Sequence, residues 1–150
     1  MNVGDLVPDF QLADQYGKLR SLGEFLAEGV VVLFFYPAAM TKGCTAESCY
    51  FRDMAAEFKE LNALRVGISL DSVDKQREFS DTYSFDYPLL SDSKGEVSKL
   101  FGVKRPIDLL KVKRQTFIVG QDFRVKAVFR SETNMKAHAD EALAFLKVNS

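Results

Sequence analysis

Two residues in this chain have the type and spacing to do chemistry: Cys44 and Cys49, the only cysteines among 150 residues. Two thiols in a chain of this length do not make a disulfide scaffold of the secreted kind. In a reducing compartment both stay mostly reduced, so a bond between them would be transient and functional. Cys44 stands seven residues before Phe51 and extends backward the apolar stripe of a helix read from Phe51, Met54, Ala55, Phe58 and Leu61. That places it in the first turn, where unpaired N–H groups and the helix dipole favour an anion. A helix terminus contributes ~0.3–1 kcal/mol, and up to ~2 when partly buried. Bringing an ordinary thiol from ~8.5 to about 6 takes roughly 3.4 kcal/mol, so something else must help, and a cation brought by the fold would do. Arg114, opening an otherwise apolar strand (Phe117, Ile118, Val119), is the candidate, because burying its base needs an anionic partner.

Cys49 lies five residues further on, rotated ~140° around the helix. Its helical neighbours are Asp53, Ala56 and Glu60, which puts it on the wetter side. Along a regular helix, residues five apart have Cα atoms ~8.6 Å apart, whereas a disulfide tolerates at most ~7 Å. If these two cysteines bond, the first turns of the helix must unwind. A C-x-x-C pair would close without that step.

The elements that must position these thiols follow from periodicity and turn chemistry. Phe10–Leu12 and Lys18–Leu22 alternate around the turn signal Asp14-Gln15-Tyr16-Gly17, giving a short hairpin. Ser21 and Glu24 have capping-box spacing and open a brief helix ending at Gly29. Val30–Tyr36 is β-branched and aromatic without alternation, as in a strand buried on both faces, and Pro37 stops it. Leu64–Leu70 is a second strand, and Asp71 or Ser72 caps a helix running to about Tyr83. Tyr87–Leu90 is a short strand, and Val97–Phe101 a small helix terminated by Gly102. Val112–Val119 and Phe123–Arg130 form a hairpin through Gly120-Gln121-Asp122, and a helix over Met135–Val148 closes the chain, with Ala139, Ala142, Leu143 and Leu146 inward. Strand–helix alternation followed by a hairpin predicts an α/β fold: a thioredoxin-like mixed sheet flanked by helices, with an N-terminal hairpin. Ligands in such sheets meet the loops at carboxyl ends of strands, and Pro37–Gly43 is such a loop.

Composition narrows the function classes. Hydrophobic residues are 47% and charged residues 27%, which argues against disorder. Twenty basic against 21 acidic residues leave a net charge of −1, so no nucleic-acid partner is expected. The longest apolar run, Val30–Met40, is far short of the ~20 residues of a membrane span. Asp5 and Asp9 stand where a signal peptide would be basic, then apolar. The expectation is a soluble, cytoplasmic protein forming one domain over residues 1–150.

The segment Pro37-Ala38-Ala39-Met40-Thr41-Lys42-Gly43-Cys44 matches the P-x3-T-x2-C motif of peroxiredoxins. With Thr45-Ala46-Glu47-Ser48-Cys49 and Phe51-Arg52-Asp53 it resembles the Q type, also called bacterioferritin comigratory proteins. The resemblance extends to Gly4-Asp5, Pro8-Asp9-Phe10, Val66-Gly67-Ile68-Ser69, Tyr87-Pro88-Leu89-Leu90-Ser91-Asp92 and Arg114-Gln115-Thr116-Phe117. The one departure in the loop is Lys42, where relatives commonly carry proline. The resemblance implies that Cys44 is the peroxidatic thiolate, attacking a hydroperoxide to become a sulfenic acid. It implies that Thr41 hydrogen-bonds thiolate and peroxide, that Pro37 fixes the loop and shields the sulfur, and that Arg114 stabilises charge on the leaving oxygen. Cys49 would resolve the sulfenic acid as an intramolecular disulfide, which thioredoxin or a related small redoxin would reduce. No metal, haem or flavin is implied, and the expected assembly is a monomer or weak homodimer.

Other readings are weaker. Both cysteines could be small core residues, which suits Cys44 but not Cys49 and leaves Pro37 and Thr41 unexplained. A zinc site needs four ligands, and two cysteines with distant His138 fall short. His138, beside Asp140, is expected to be a solvated surface residue. Lys104, Arg105, Lys111, Lys113 and Arg114, opposed only by Asp108, read as a solvated loop. Thiol–disulfide exchange with proteins is the first alternative function, disfavoured by C-x4-C. A peroxide sensor or redox chaperone is the second.

Overall fold

The computed structural model describes residues 1–105 and 112–149. Lys111 and Asp108 of the basic run lie outside them. The elements are β1 (Gln11–Ala13), β2 (Leu19–Ser21), α1 (Leu22–Leu26), β3 (Val30–Phe35), α2 (Lys42–Asp53), α3 (Ala55–Glu60), β4 (Ala63–Ser69), α4 (Val73–Tyr83), β5 (Leu89–Ser91), α5 (Glu96–Leu100), β6 (Gln115–Val119), β7 (Val125–Arg130) and α6 (Ala137–Val148). They form one mixed seven-stranded sheet in the order β2-β1-β5-β4-β3-β6-β7. β3, β4 and β5 run parallel, while β6 and β7 run antiparallel to the neighbours they pair with. This is the thioredoxin-like arrangement expected from the alternation of strand and helix.

β3 is the centre of the core because its run of apolar residues faces both ways. Val32 and Phe34, with Tyr36 beyond the strand, pack toward α2, α3, α4 and α6. Val31, Leu33 and Phe35 pack against α1 and α5 on the opposite face. The Ser21–Glu24 capping box that opens α1 is present in full. Ser72, not Asp71, caps α4 through its side chain to the Lys75 N–H. Gly102 adopts a left-handed φ of 73° just past α5, the stop read from the sequence.

Three expectations need correction. The helix read as continuous to Leu61 breaks at Met54, whose φ of −93° and ψ of 18° end α2 before α3 begins. The apolar stripe runs across the break, so periodicity does not register it. The Phe51 carbonyl at this point accepts from Arg65 Nη1 of β4 at 2.9 Å, a tertiary contact that propensity cannot show. The strand read from Val112 begins at Gln115; Val112 makes only an isolated bridge with Lys104. The basic run is not simply solvated, since Arg114 is buried and Arg105 pairs with Glu132 at 3.2 Å.

Phe51 seats the reactive helix on the sheet. Its ring stacks on Phe34 of β3 at 4.2 Å between centroids and lies 5.7 Å from Phe58 of α3. Phe51→Ala should therefore cost about 3–5 kcal/mol of stability. Urea unfolding checks this as a lowered midpoint with an unchanged slope.

Candidate active site

The loop after β3 is built to hold one backbone course. Met40 takes a left-handed φ of 68°, a conformation costing a non-glycine residue roughly 1–2 kcal/mol. Asp71, at the end of the neighbouring strand, holds the loop in place. Its carboxylate accepts from the Ala39 N–H at 2.7 Å and from the Ser69 hydroxyl at 2.7 Å. Pro37 is half-buried where the strand ends.

Thr41 is the N-cap of α2, and the first helical bond runs from the Thr45 N–H to the Thr41 carbonyl at 2.8 Å. The N–H groups of Lys42, Gly43 and Cys44 precede that bond and create positive potential around the first turn. Lys42, the departure from proline, occupies the first helical position, where proline is favoured but not required. Thr41 is exposed, and its hydroxyl donates to the Ala38 carbonyl at 2.7 Å. Its single hydrogen is thus committed to the loop, and only its lone pairs face an incoming group.

Cys44 is fully buried. Arg114 Nη2 lies 3.2 Å from its sulfur, so the structure brings together the two residues that the charge argument paired. Gly43 permits this approach: a Cβ there would stand 3.3 Å from Arg114 Nη2 and 3.5 Å from Met135 Sδ. The same guanidinium reaches Glu47 Oε1 through Nη1 at 2.7 Å. Burial disfavours charge on Arg114, but Glu47 and Cys44 hold its pKa above the usual range. The Arg114 backbone N–H donates to Glu132 at 3.0 Å, fixing the residue just before β6.

Sequence reasoning missed Glu47 and misplaced His138. Glu47 has no exposed surface, and burial raises its carboxyl to about 7 even though Arg114 opposes the shift. It stands three residues after Cys44, on the same buried face as Ser48 and Phe51. An acid on an apolar stripe was the available signal. His138 is 1% exposed rather than solvated. Its Nδ1 lies 2.8 Å from the Thr116 hydroxyl, its Nε2 2.8 Å from the Ser131 carbonyl, and Nε2 is also 3.7 Å from Glu47 Oε2. Burial, reinforced by Arg114, lowers its pKa and favours the neutral ring.

Cys49 is half-buried on the same helix and packs against the core, less exposed than its polar neighbours suggest. Burial pushes its thiol upward, partly offset by Arg52. Both cysteines are free thiols, and both lie inside one regular helix. The residues around Cys49 are held from outside the helix. Tyr87 donates to the Ser48 carbonyl at 2.7 Å, and Arg52 donates to the Tyr83 carbonyl at 2.7 Å. Arg65, paired through both its terminal nitrogens with Asp86, holds the Phe51 carbonyl.

The arrangement is a buried thiol at a helix N-terminus, in contact with a buried arginine, with a second thiol five residues along the same helix. The AhpC/TSA family model matches residues 3–128. The chain belongs to that family. It is 40% identical to the chloroplastic peroxiredoxin Q of Suaeda salsa, over 96% of this chain and 67% of that protein. The crystal structure of peroxidoxin BcpB from Mycobacterium tuberculosis superposes with a TM-score of 0.96 at 54% identity, covering 100% of this chain and 99% of that one. A cysteine-to-serine variant of PrxQ from Xylella fastidiosa superposes at 0.90 and 29% identity, covering 99% and 97%. With these relatives the chain stands among the peroxiredoxins of the Q type, and the activity of the family is thiol peroxidase chemistry.

The buried acid has a consequence for stability. Ionising Glu47 costs more in the folded than in the unfolded chain, because its folded value of about 7 lies above the ordinary 4.5. Its contribution is therefore favourable at low pH and is lost as pH rises through about 7. Glu47→Gln removes this titration while keeping a polar group on Arg114, so between pH 5 and pH 8 the variant should lose less stability than the unmodified protein, whatever the pH-independent cost of weakening the Arg114 pair. Urea titrations of both proteins at the two pH values check the sign.

Proposed function

We propose that this peroxiredoxin reduces hydrogen peroxide and organic hydroperoxides through Cys44, with Cys49 as the resolving thiol. The observation that carries the reading is the 3.2 Å contact of Arg114 with the Cys44 sulfur at the first turn of α2. A thiolate there attacks the terminal peroxide oxygen. The O–O bond breaks, sulfur is oxidised to a sulfenic acid, and the remaining oxygen leaves as an alkoxide or hydroxide that takes up a proton. Arg114 offers a fixed positive charge where negative charge passes from sulfur to the leaving oxygen. Thr41, with its hydrogen committed to Ala38, can accept a hydrogen bond from the peroxide hydroxyl. Pro37 closes the wall of the loop.

Cys49 then attacks the sulfenic sulfur, water leaves, and a Cys44–Cys49 disulfide forms. In a regular helix the two Cα atoms are ~8.6 Å apart, beyond disulfide reach, so the first turns of α2 unwind in this step. Unwinding also frees the Cys49 thiol from the burial that disfavours its ionisation. Thioredoxin or a similar small redoxin is the reductant in this reading, restoring both thiols by exchange. A cytoplasmic location suits two free thiols, and a monomer or weak homodimer suits a resolving cysteine on the same helix. Disulfide exchange with protein substrates is disfavoured because a C-x4-C pair must unwind its helix before it can bond and because Thr41 would have no part in it.

Three variants test the assignment with one equivalent of peroxide and intact-mass analysis. Cys44→Ser should be inert. Cys49→Ser should gain one oxygen at the rate of the unmodified protein and form no internal disulfide. Arg114→Met should react about 10²–10³-fold more slowly, the usual effect of removing a preorganised charge partner. If Cys49→Ser reacts no faster than Cys44→Ser, the roles of the cysteines are wrong.

A further inference from the structure

Behind Arg114 lies a buried acid that the peroxidase scheme does not use. Glu47 Oε1 is bound to Arg114 Nη1, but Oε2, equally buried, makes no hydrogen bond among the described residues. Cys44, Arg114 and Glu47 are thus three ionisable groups in series on one guanidinium, away from water. If Cys44 and Glu47 were both ionised, the cluster would carry a net negative charge in a dry setting. With one proton shared between them it is neutral.

We infer that Glu47 is a positioning residue that holds the proton Cys44 gives up, so that the thiolate forms without uncompensated charge behind Arg114. The inference rests on the peroxidase reading for its chemical purpose. The other groups facing Glu47 cannot take this part. The Ser131 carbonyl only accepts, so the hydrogen of neutral His138 sits on Nε2, the nitrogen turned toward Glu47, and Nδ1 accepts from Thr116. His138 thus spends its hydrogen on Ser131 and, at 3.7 Å from Glu47 Oε2, offers it no base. Glu132 is occupied by the Arg114 N–H and by Arg105. Tyr87, before β5, is held protonated by burial and donates to Ser48. Arg114 keeps its charge throughout. That the Glu47 carboxyl titrates near neutrality agrees with this role.

The proton balance closes. The Cys44 thiol and Glu47 carboxylate become thiolate and carboxylic acid, with no change in total charge. Attack on the peroxide then forms the S–O bond and breaks the O–O bond; sulfur loses two electrons and the peroxide gains them. Once the sulfenic acid is neutral, Arg114 again favours the ionised Glu47, which releases one proton. That proton equals the one the leaving alkoxide takes up, and the first oxidation is proton-neutral overall.

The test uses the full chain carrying Cys49→Ser, so that the reaction stops at Cys44. Reduced protein at pH 7 receives one equivalent of hydrogen peroxide or, in parallel, of iodoacetamide. Infrared difference spectra and intact masses are then recorded. A protonated-carboxyl band should be lost in each arm in which Cys44 reacts, and the loss should be absent when Glu47→Gln is added. In a second measurement, the rate of iodoacetamide reaction between pH 6 and pH 8 should vary several-fold less in Glu47→Gln, because the coupled second titration has been removed. A reacted Cys44 with an unchanged carboxyl band overturns the inference and leaves the peroxidase reading standing. Persistence of the band loss in Glu47→Gln overturns it as well. If peroxide leaves the mass unchanged, the peroxidase reading fails, and the iodoacetamide arm still decides where the proton resides.

Discussion

A guanidinium held out of water between a sulfur and a carboxylate constrains much of this structure. Arg114 is buried with an ionisable partner on each side, Glu47 at 2.7 Å and the Cys44 sulfur at 3.2 Å, and Glu47 is buried against it in turn. The pair needs walls on every side. Phe51 seats α2 on β3, Glu132 fixes the Arg114 backbone, and His138 closes the rear through Thr116 and Ser131. Glycine at position 43 leaves room for the guanidinium to reach the sulfur. Each of these side chains belongs to a different part of the chain, so the site exists only when the sheet and its flanking helices are assembled.

The same charge economy links fold and chemistry. A thiolate beside Arg114 alone would be a balanced pair; beside Arg114 and an ionised Glu47 it would not. Burial eases the conflict by raising the acid to about 7, which leaves it partly protonated at neutral pH. The cost is borne as stability, which the protein loses as the acid is forced to ionise. An active site that holds a titrating carboxyl in its core exchanges stability for control of charge at the sulfur.

Much of the fold was legible because hydrophobic period and turn chemistry agree. The two-faced run of β3, the Ser21–Glu24 box and the Gly102 stop each act locally, and each stands where the sequence puts it. What was not legible depends on distant partners. The break at Met54 interrupts no apolar stripe, and the Phe51 carbonyl there is met by Arg65 from another strand. His138 is four residues before the buried Ala142, and thus on the inward face, but its residue type and its neighbour Asp140 suggest water. Glu47 was hidden in the same way, a polar residue on an apolar stripe whose partner is 67 positions away. The Cys44–Arg114 pairing could be argued from charge alone; the acid that completes it could not.

The holds on the middle of α2 have an energetic meaning for electron transfer. Tyr87 on the Ser48 carbonyl, Arg65 on the Phe51 carbonyl and Tyr50 on Asp140 all favour the folded helix, in which the thiols are too far apart to bond. Whatever free energy these contacts give the dithiol form would be subtracted from the Cys44–Cys49 disulfide of the proposed cycle. A disulfide whose reduced partner is stabilised is an oxidising one. Each 1.4 kcal/mol of helix restoration corresponds to about 30 mV in a two-electron couple. Refolding of α2 would thereby draw electrons from the reductant, and the packing of one helix would set the potential at which the cycle closes.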